Sequence, residues 1–132
     1  MNIYGIGVDV VENSRIQKSM DDLGDAFLDR VFTEKERLYC DAMKFAARHY
    51  AARFAAKEAI SKALGIGIGE NLYWKDMEIL RRDTGEPYAI LYGRGKEFAK
   101  RKGVCKIMIS LTHTDHYAAA NAVICCEDEG YF

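Results

Sequence analysis

A chain of 132 residues, 49% hydrophobic and 30% charged, has the size and balance of a soluble globular domain with a real core, spanning residues 1–132 as one unit. Its formal net charge of −1 gives no bulk electrostatic case for nucleic acid or a membrane, and neither a bilayer-spanning apolar run nor a signal-peptide pattern is present. The four cysteines, Cys40, Cys105, Cys125 and Cys126, form no CxxC pair. They suit reduced, mostly buried thiols, which leaves a cytoplasmic enzyme or binding domain.

The first predicted element is a strand over Ile3 to Val11. Its alternation sets Tyr4, Ile6, Val8 and Val10 on one face, and Gly5, Gly7, Asp9 and Val11 on the other. Glycine weakens a strand unless a ligand or another backbone must come close, and a mid-strand aspartate is costly to bury unpaired. Asp9 therefore reads either as a local pair at a strand end or as a ligand for a hard cation. Asn13 or Ser14 is placed to cap a short helix that Gly24 ends. Residues 26–31 form another short turn or helix. A capping box, Thr33-x-x-Glu36 with Phe32 as its staple, then opens a helix from Glu34 to about Lys44.

The longest helix is expected over Ala46 to Leu64. At roughly 100° per residue, Ala52, Ala56, Ala59, Ile60 and Ala63 share one side. Phe54, Glu58, Ser61 and Gly65 share the other, with Lys57 and Lys62 flanking them. Glu58 and Lys62 have the i, i+4 spacing of an intrahelical ion pair. The same spacing suits a carboxylate that holds a cation beside a lysine that holds phosphate. Further on, Trp74 to Leu80 and Tyr88 to Tyr92 read as a hairpin, Gly93 to Lys102 as a basic-ended helix, and Cys105 to Leu111 and Tyr117 to Cys125 as two more strands. Residues from about 126 to 132 read as an acidic tail. The order β-ααα-ββ-α-ββ implies an α+β fold with a mostly antiparallel sheet packed on a long helix.

Three groups of residues are candidates to carry chemistry in this pattern. If Asp9 and Glu58 meet, they make an open oxygen site suited to Mg²⁺, which takes one or two carboxylates plus water and substrate phosphates. Lys57, Lys62 and the bare backbone of Gly65, Gly67 and Gly69 would then receive a pyrophosphate. His113 reads as a phosphate or hydroxyl contact and His116 as surface, because HxxH after a strand fixes no metal geometry and no GxSxG accompanies Ser110. Basic residues on the helices, Arg48 and Arg53 among them, suit either solvent or a polyanion.

GIGVDVVENSRI, FTEKE, RFAAKEAISKALGIGIG, GEP and SLTHTDHYAAANAVI occur in this order. Together they resemble the holo-[acyl-carrier-protein] synthases, the small subgroup of the 4′-phosphopantetheinyl transferase superfamily, over about residues 3–124. The resemblance implies transfer of 4′-phosphopantetheine from coenzyme A to a serine of apo acyl carrier protein, with Mg²⁺ as cofactor and adenosine 3′,5′-bisphosphate released, in support of fatty acid biosynthesis. It implies Asp9 and Glu58 as the metal ligands, with Lys62 joining them in catalysis. Coenzyme A would meet Lys57, Ser61, Lys62, Gly65, Arg53 and His113. Arg15, in the ExxRI segment, matches a basic position facing the carrier protein, and Arg48 is grouped with it. Threonine replaces the second serine of the SxSHT motif, and Val11 stands where larger relatives carry a third acidic residue. The resemblance further implies a homotrimer with sites between subunits. A Mg²⁺-dependent coenzyme A phosphohydrolase and a non-catalytic coenzyme A-binding module are the rival readings.

Overall fold

A computed structural model describes residues 1–127 of the chain. The elements run β1 (Asn2–Glu12), α1 (Asn13–Leu23), α2 (Asp25–Val31), α3 (Glu34–Asp41), α4 (Ala46–Leu64), a 3-10 turn (Trp74–Asp76), β2 (Met77–Arg81), β3 (Pro87–Leu91), α5 (Gly93–Arg101), β4 (Val104–His113) and β5 (Tyr117–Cys126). The fold is α+β, with four helices ahead of the hairpin because Asp25–Val31 forms a helix of its own. The strands make two antiparallel sheets, one ordered β1-β5-β4 and the other the β2-β3 hairpin. None of the described helices is long and apolar enough to cross a membrane. Of the expected acidic tail, Cys126 is a strand residue paired with Asn2, and Glu127 donates its N–H to the Gly103 carbonyl at 2.9 Å. Residues 128–132 of that tail lie outside the described residues.

Helix α4 is the centre of the molecule, and its amphipathicity is weaker than the alternating face predicted. Ala51, Ala52, Ala55, Ala56, Ala59, Ile60, Ala63 and Leu64 are all buried, and so are Arg53, Lys57 and Ser61. From Tyr50 to Leu64, what reaches the surface is a stripe of Phe54, Glu58 and Lys62 at successive i, i+4 positions. Gly65 ends the helix in the left-handed conformation (φ 77°), where its N–H reaches back to the carbonyls of Ser61 and Lys62.

The glycines of β1 explain how strand and helix meet. A Cβ on Gly5 or Gly7 would lie 2.0 Å from the carbonyl oxygen of Ala63 or Ala59, respectively. The close backbone approach that two strand glycines imply is thus to α4. The opposite face of β1 is turned outward: Ile6, Val8 and Val10 are 70%, 62% and 60% exposed. Tyr4 leaves that face because the register shifts between Ile3 and Gly5, and it packs against the core instead.

At the other helices, local chemistry serves tertiary contacts. Thr33 and Glu36 form the capping box of α3 reciprocally, with the Thr33 N–H donating to Glu36 Oε1 at 2.8 Å and the Glu36 N–H donating to Thr33 Oγ1 at 3.3 Å. Phe32 is fully buried, its ring 4.8 Å from that of Tyr50. Asn13 and Ser14 do not cap α1; Glu12 is its N-cap and makes no side-chain bond. Asn13 is buried and donates from Nδ2 to the carbonyls of Thr114 and Asp115, tying the start of α1 to the β4–β5 turn.

Candidate active site

Strand β1 delivers Asp9 to the side that faces α4, two residues beyond the Gly7 contact, and α4 delivers Glu58 on its accessible stripe. The two carboxylates act on each other. Partial burial lifts the Glu58 carboxyl above its ordinary range, and the neighbouring Asp9 charge lifts it further; Lys62 and Arg15 pull the other way. The Lys62 ammonium does not close an ion pair along its own helix. It crosses to β1, donating to the Val8 carbonyl at 2.9 Å and to Asp9 Oδ1 at 3.2 Å. Half-exposed as it is, this lysine remains available to a ligand.

Two repelling carboxylates with solvent access are the donor set that a hard divalent cation takes, with water and phosphate oxygens completing its shell. Among the described residues no group of three or more His, Cys, Asp or Glu side chains converges. Such a pair would suit a divalent cation that shares its shell with a substrate. Beside it opens a cleft of about 580 Å³, bordered by Glu58, Ser61, Lys62, Gly65, Gly67 and Trp74, with Arg30 at its rim. The glycines give this wall bare backbone. Ser61 Oγ already donates to the Glu58 carbonyl at 2.8 Å, so the hydroxyl steadies the helix end as well as bordering the cleft.

Arg30 and Trp74 are absent from the site predicted from sequence. Arg30 falls there, without comment, in the short turn or helix over residues 26–31, and Trp74 is the first residue of a strand. The structure instead puts Trp74 in the 3-10 turn, stacked on Phe54 with centroids 4.8 Å apart.

Lys57 is a correction. Its ammonium is wholly buried on the far side of α4, 2.7 Å from Glu36 Oε1 and 2.7 Å from the Val31 carbonyl. Desolvation pulls its pKa down and the Glu36 charge opposes that pull. Glu36 also accepts the Ile79 N–H on Oε2 at 2.8 Å. One step along a helix turns a side chain by about 100°, and that step takes Lys57 into the core, away from the phosphate-sized cleft.

A second cluster forms near the N-terminal end of α4. His49 precedes Glu58 by nine residues, about 14 Å along the axis. The His113 ring lies 4.8 Å from that of His49. Arg53 is buried to 1% exposure with its guanidinium 4.2 Å from the Tyr39 ring centre. Its Nη1 donates to the His49 carbonyl at 3.3 Å and its Nε has no partner. No described acidic residue forms an ion pair with Arg53. Nδ1 of His49 and of His113 is likewise buried and unpartnered. Buried polar atoms left this way, beside a guanidinium without an acidic partner, call for a water, ion or ligand to satisfy them. Arg48 pairs with Asp115 at 2.9 Å and borders a cleft of about 710 Å³ with Ser14 and Gln17 of α1. Arg15 and His116 are exposed. One chain thus brings together Asp9, Glu58 and Lys62, and separately His113 and Arg53.

A model of the 4′-phosphopantetheinyl transferase superfamily matches residues 5–122. Holo-[acyl-carrier-protein] synthase of a Geobacter species is 43% identical over 122 residues, covering 92% of this chain and 98% of the relative. The namesake from Ruminiclostridium cellulolyticum is 44% identical over 124 residues, covering 93% and 92%. The crystal structure of the Neisseria meningitidis synthase superposes with a TM-score of 0.86 at 30% identity, covering 92% of this chain and 98% of that one. The Helicobacter pylori synthase in complex with coenzyme A superposes with a TM-score of 0.81 at 31% identity, covering 91% and 99%.

Proposed function

The chain belongs to the holo-[acyl-carrier-protein] synthase branch of the 4′-phosphopantetheinyl transferase superfamily, and on that premise we propose that it transfers 4′-phosphopantetheine from coenzyme A to a serine of an apo acyl carrier protein. The observation that carries this reading is the Asp9–Glu58–Lys62 group beside a glycine-walled cleft. In the reaction the carrier's serine hydroxyl attacks the β-phosphate of coenzyme A, and adenosine 3′,5′-bisphosphate leaves. Such transfers depend on positioning and charge stabilisation more than on covalent work by the protein. Supply of holo carrier protein to fatty acid synthesis is part of the same proposal.

Asp9 and Glu58 hold Mg²⁺ in this scheme. When bound there, the ion draws charge from the phosphoryl oxygens and eases loss of the serine proton. Lys62 swings from Asp9 to the pyrophosphate and neutralises the leaving group. Gly65 and Ser61 border the path of the ligand. Arg53 and His113 take the 3′-phosphate end of coenzyme A; their orphaned nitrogens support that role. Arg15 and Arg48 face the carrier protein. Arg15 is exposed on α1, close enough to Glu58 to act on its charge, which supports delivery of the carrier's serine to the metal pair.

We extend the proposal to a homotrimer. The separation of the two clusters along α4 suits a site in which His113 and Arg53 of one subunit complete the Asp9–Glu58 centre of the next. The outward Ile6, Val8 and Val10 supply an apolar face for the contact.

The test is to incubate the chain with coenzyme A, Mg²⁺ and apo carrier protein and to weigh the carrier. A gain of one phosphopantetheine group is expected, lost in Glu58→Gln. An unmodified carrier with adenosine 3′,5′-bisphosphate released would point to a hydrolase. An unmodified carrier with coenzyme A bound but intact would point to a binding module. Arg15→Glu is expected to weaken use of the carrier much more than coenzyme A binding, as measured by carrier KM against coenzyme A Kd.

A further inference from the structure

His49 carries no role in the site described so far, yet it shares the surroundings of His113. The two rings are 4.8 Å apart at 63°, and neither Nδ1 has a partner. The charged groups around them are nearly all positive: Arg48 and Arg53 from α4 itself, and Arg81 from the end of β2. From α3 comes the Tyr39 ring, 5.9 Å from His49. From the β4–β5 turn comes Asp115, and Arg48 holds it.

We propose that the His49–His113 pair takes up a proton when the phosphate monoester of coenzyme A docks beside it, so that coenzyme A affinity in this chain is coupled to pH through His49. This rests on the reading that Arg53 and His113 receive that phosphate. In the free chain, burial and the arginines hold both imidazoles below their ordinary range, with His113 adding to the effect on His49. A monoester phosphate brings about −1.5 to −2 charges. That charge offsets the guanidinium groups that disfavour a charged ring, which favours imidazolium. Two rings this close do not both charge readily, so the pair accepts one proton between them. A neutral imidazole offers one N–H; the cation offers two, turning a buried acceptor into a donor for the phosphate.

Calorimetry in two buffers of different ionisation heat, without added metal and at about pH 8, where the phosphate monoester (second pKa about 6) is already fully ionised, measures the proton taken up by the pair. Uptake approaching one proton is expected with coenzyme A and none with dephospho-coenzyme A. The coenzyme A Kd should rise toward about tenfold per pH unit above neutrality. His49→Gln should reduce the uptake and flatten that slope, and full uptake in the variant would overturn the role of His49. The wild-type measurement stands without any variant. Buffer-independent heat, with coenzyme A still bound more tightly than dephospho-coenzyme A, would sink the coupling and leave the phosphate assignment intact. Equal affinity for the two ligands would remove the phosphate assignment and the coupling with it.

Discussion

Glu58 is a carboxylate whose surroundings hold it away from its ordinary chemistry. Its pKa is raised above the ordinary value of 4.5 by burial first and Asp9 second. The sign follows from linkage. Between 4.5 and its native value the folded chain binds more protons than the unfolded one, so the stability contributed by the protonated form is present at lower pH and lost as pH rises through the native value. Asp9→Asn should therefore lower the Glu58 pKa, seen by carboxyl-carbon NMR titration, and remove part of that loss above the window; an unchanged Glu58 titration would separate the two carboxylates. Added Mg²⁺ should move the wild-type titration in the same direction. Lys57 teaches the complementary lesson. Its identity beside Glu58 was legible in the sequence, but its partner Glu36 comes from another helix, and helical periodicity does not reveal a pairing across the core. Lys57→Met leaves that carboxylate uncompensated and should destabilise the chain by about 3–5 kcal/mol in urea unfolding. A loss of coenzyme A affinity without loss of stability would instead return Lys57 to the phosphate.

At the scale of elements, the boundaries of α4 were legible because alanine-rich propensity and Gly65 agree with the tertiary structure. The capping box of α3 was legible for the same reason, since both its partners are local. The cap of α1 was not: Asn13 has the right side chain for capping but spends its amide on the β4–β5 turn. In β1, alternation separated the two faces correctly beyond Tyr4, and the glycines signalled a close approach. Which object approaches was beyond local pattern, because α4 lies more than thirty residues away in the chain. Gly7→Ala tests the contact. Its methyl group would meet the Ala59 carbonyl, and overpacking of this kind typically costs about 1–3 kcal/mol. A melt should register the loss, and Mg²⁺ affinity should fall with it because β1 can relieve the clash only by carrying Asp9 away from α4. Unchanged stability would mean the strand has room that the geometry denies.

For the whole molecule, the instructive feature is a sheet whose outward face on β1 is aliphatic, while the inward face carries Gly5, Gly7, Asp9 and Val11. Ile6, Val8 and Val10 sit where a monomer would carry polar residues. Sequence alternation cannot distinguish a face covered by the chain's own core from one covered by a second copy, since both demand the same side chains. Val8→Glu should therefore leave the chain folded, because that residue is 62% exposed, while light scattering shows monomers and transferase activity collapses. A trimer that survives this substitution would move the interface elsewhere.

The bare stretch of β1 has one more implication, for how the proposed metal centre tolerates change. Its two ligands are set apart by main chain resting on main chain at Gly5 and Gly7, with no side chain as a spacer. A spacer of that sort behaves as a gauge block, with a thickness that rotamer changes do not alter. Substitutions elsewhere in the core that preserve backbone position would leave the bite between Asp9 and Glu58 nearly constant, whereas loosening that bite requires separating β1 from α4. Cation capture and integrity of the central layer are thereby one property of the molecule, measurable by either.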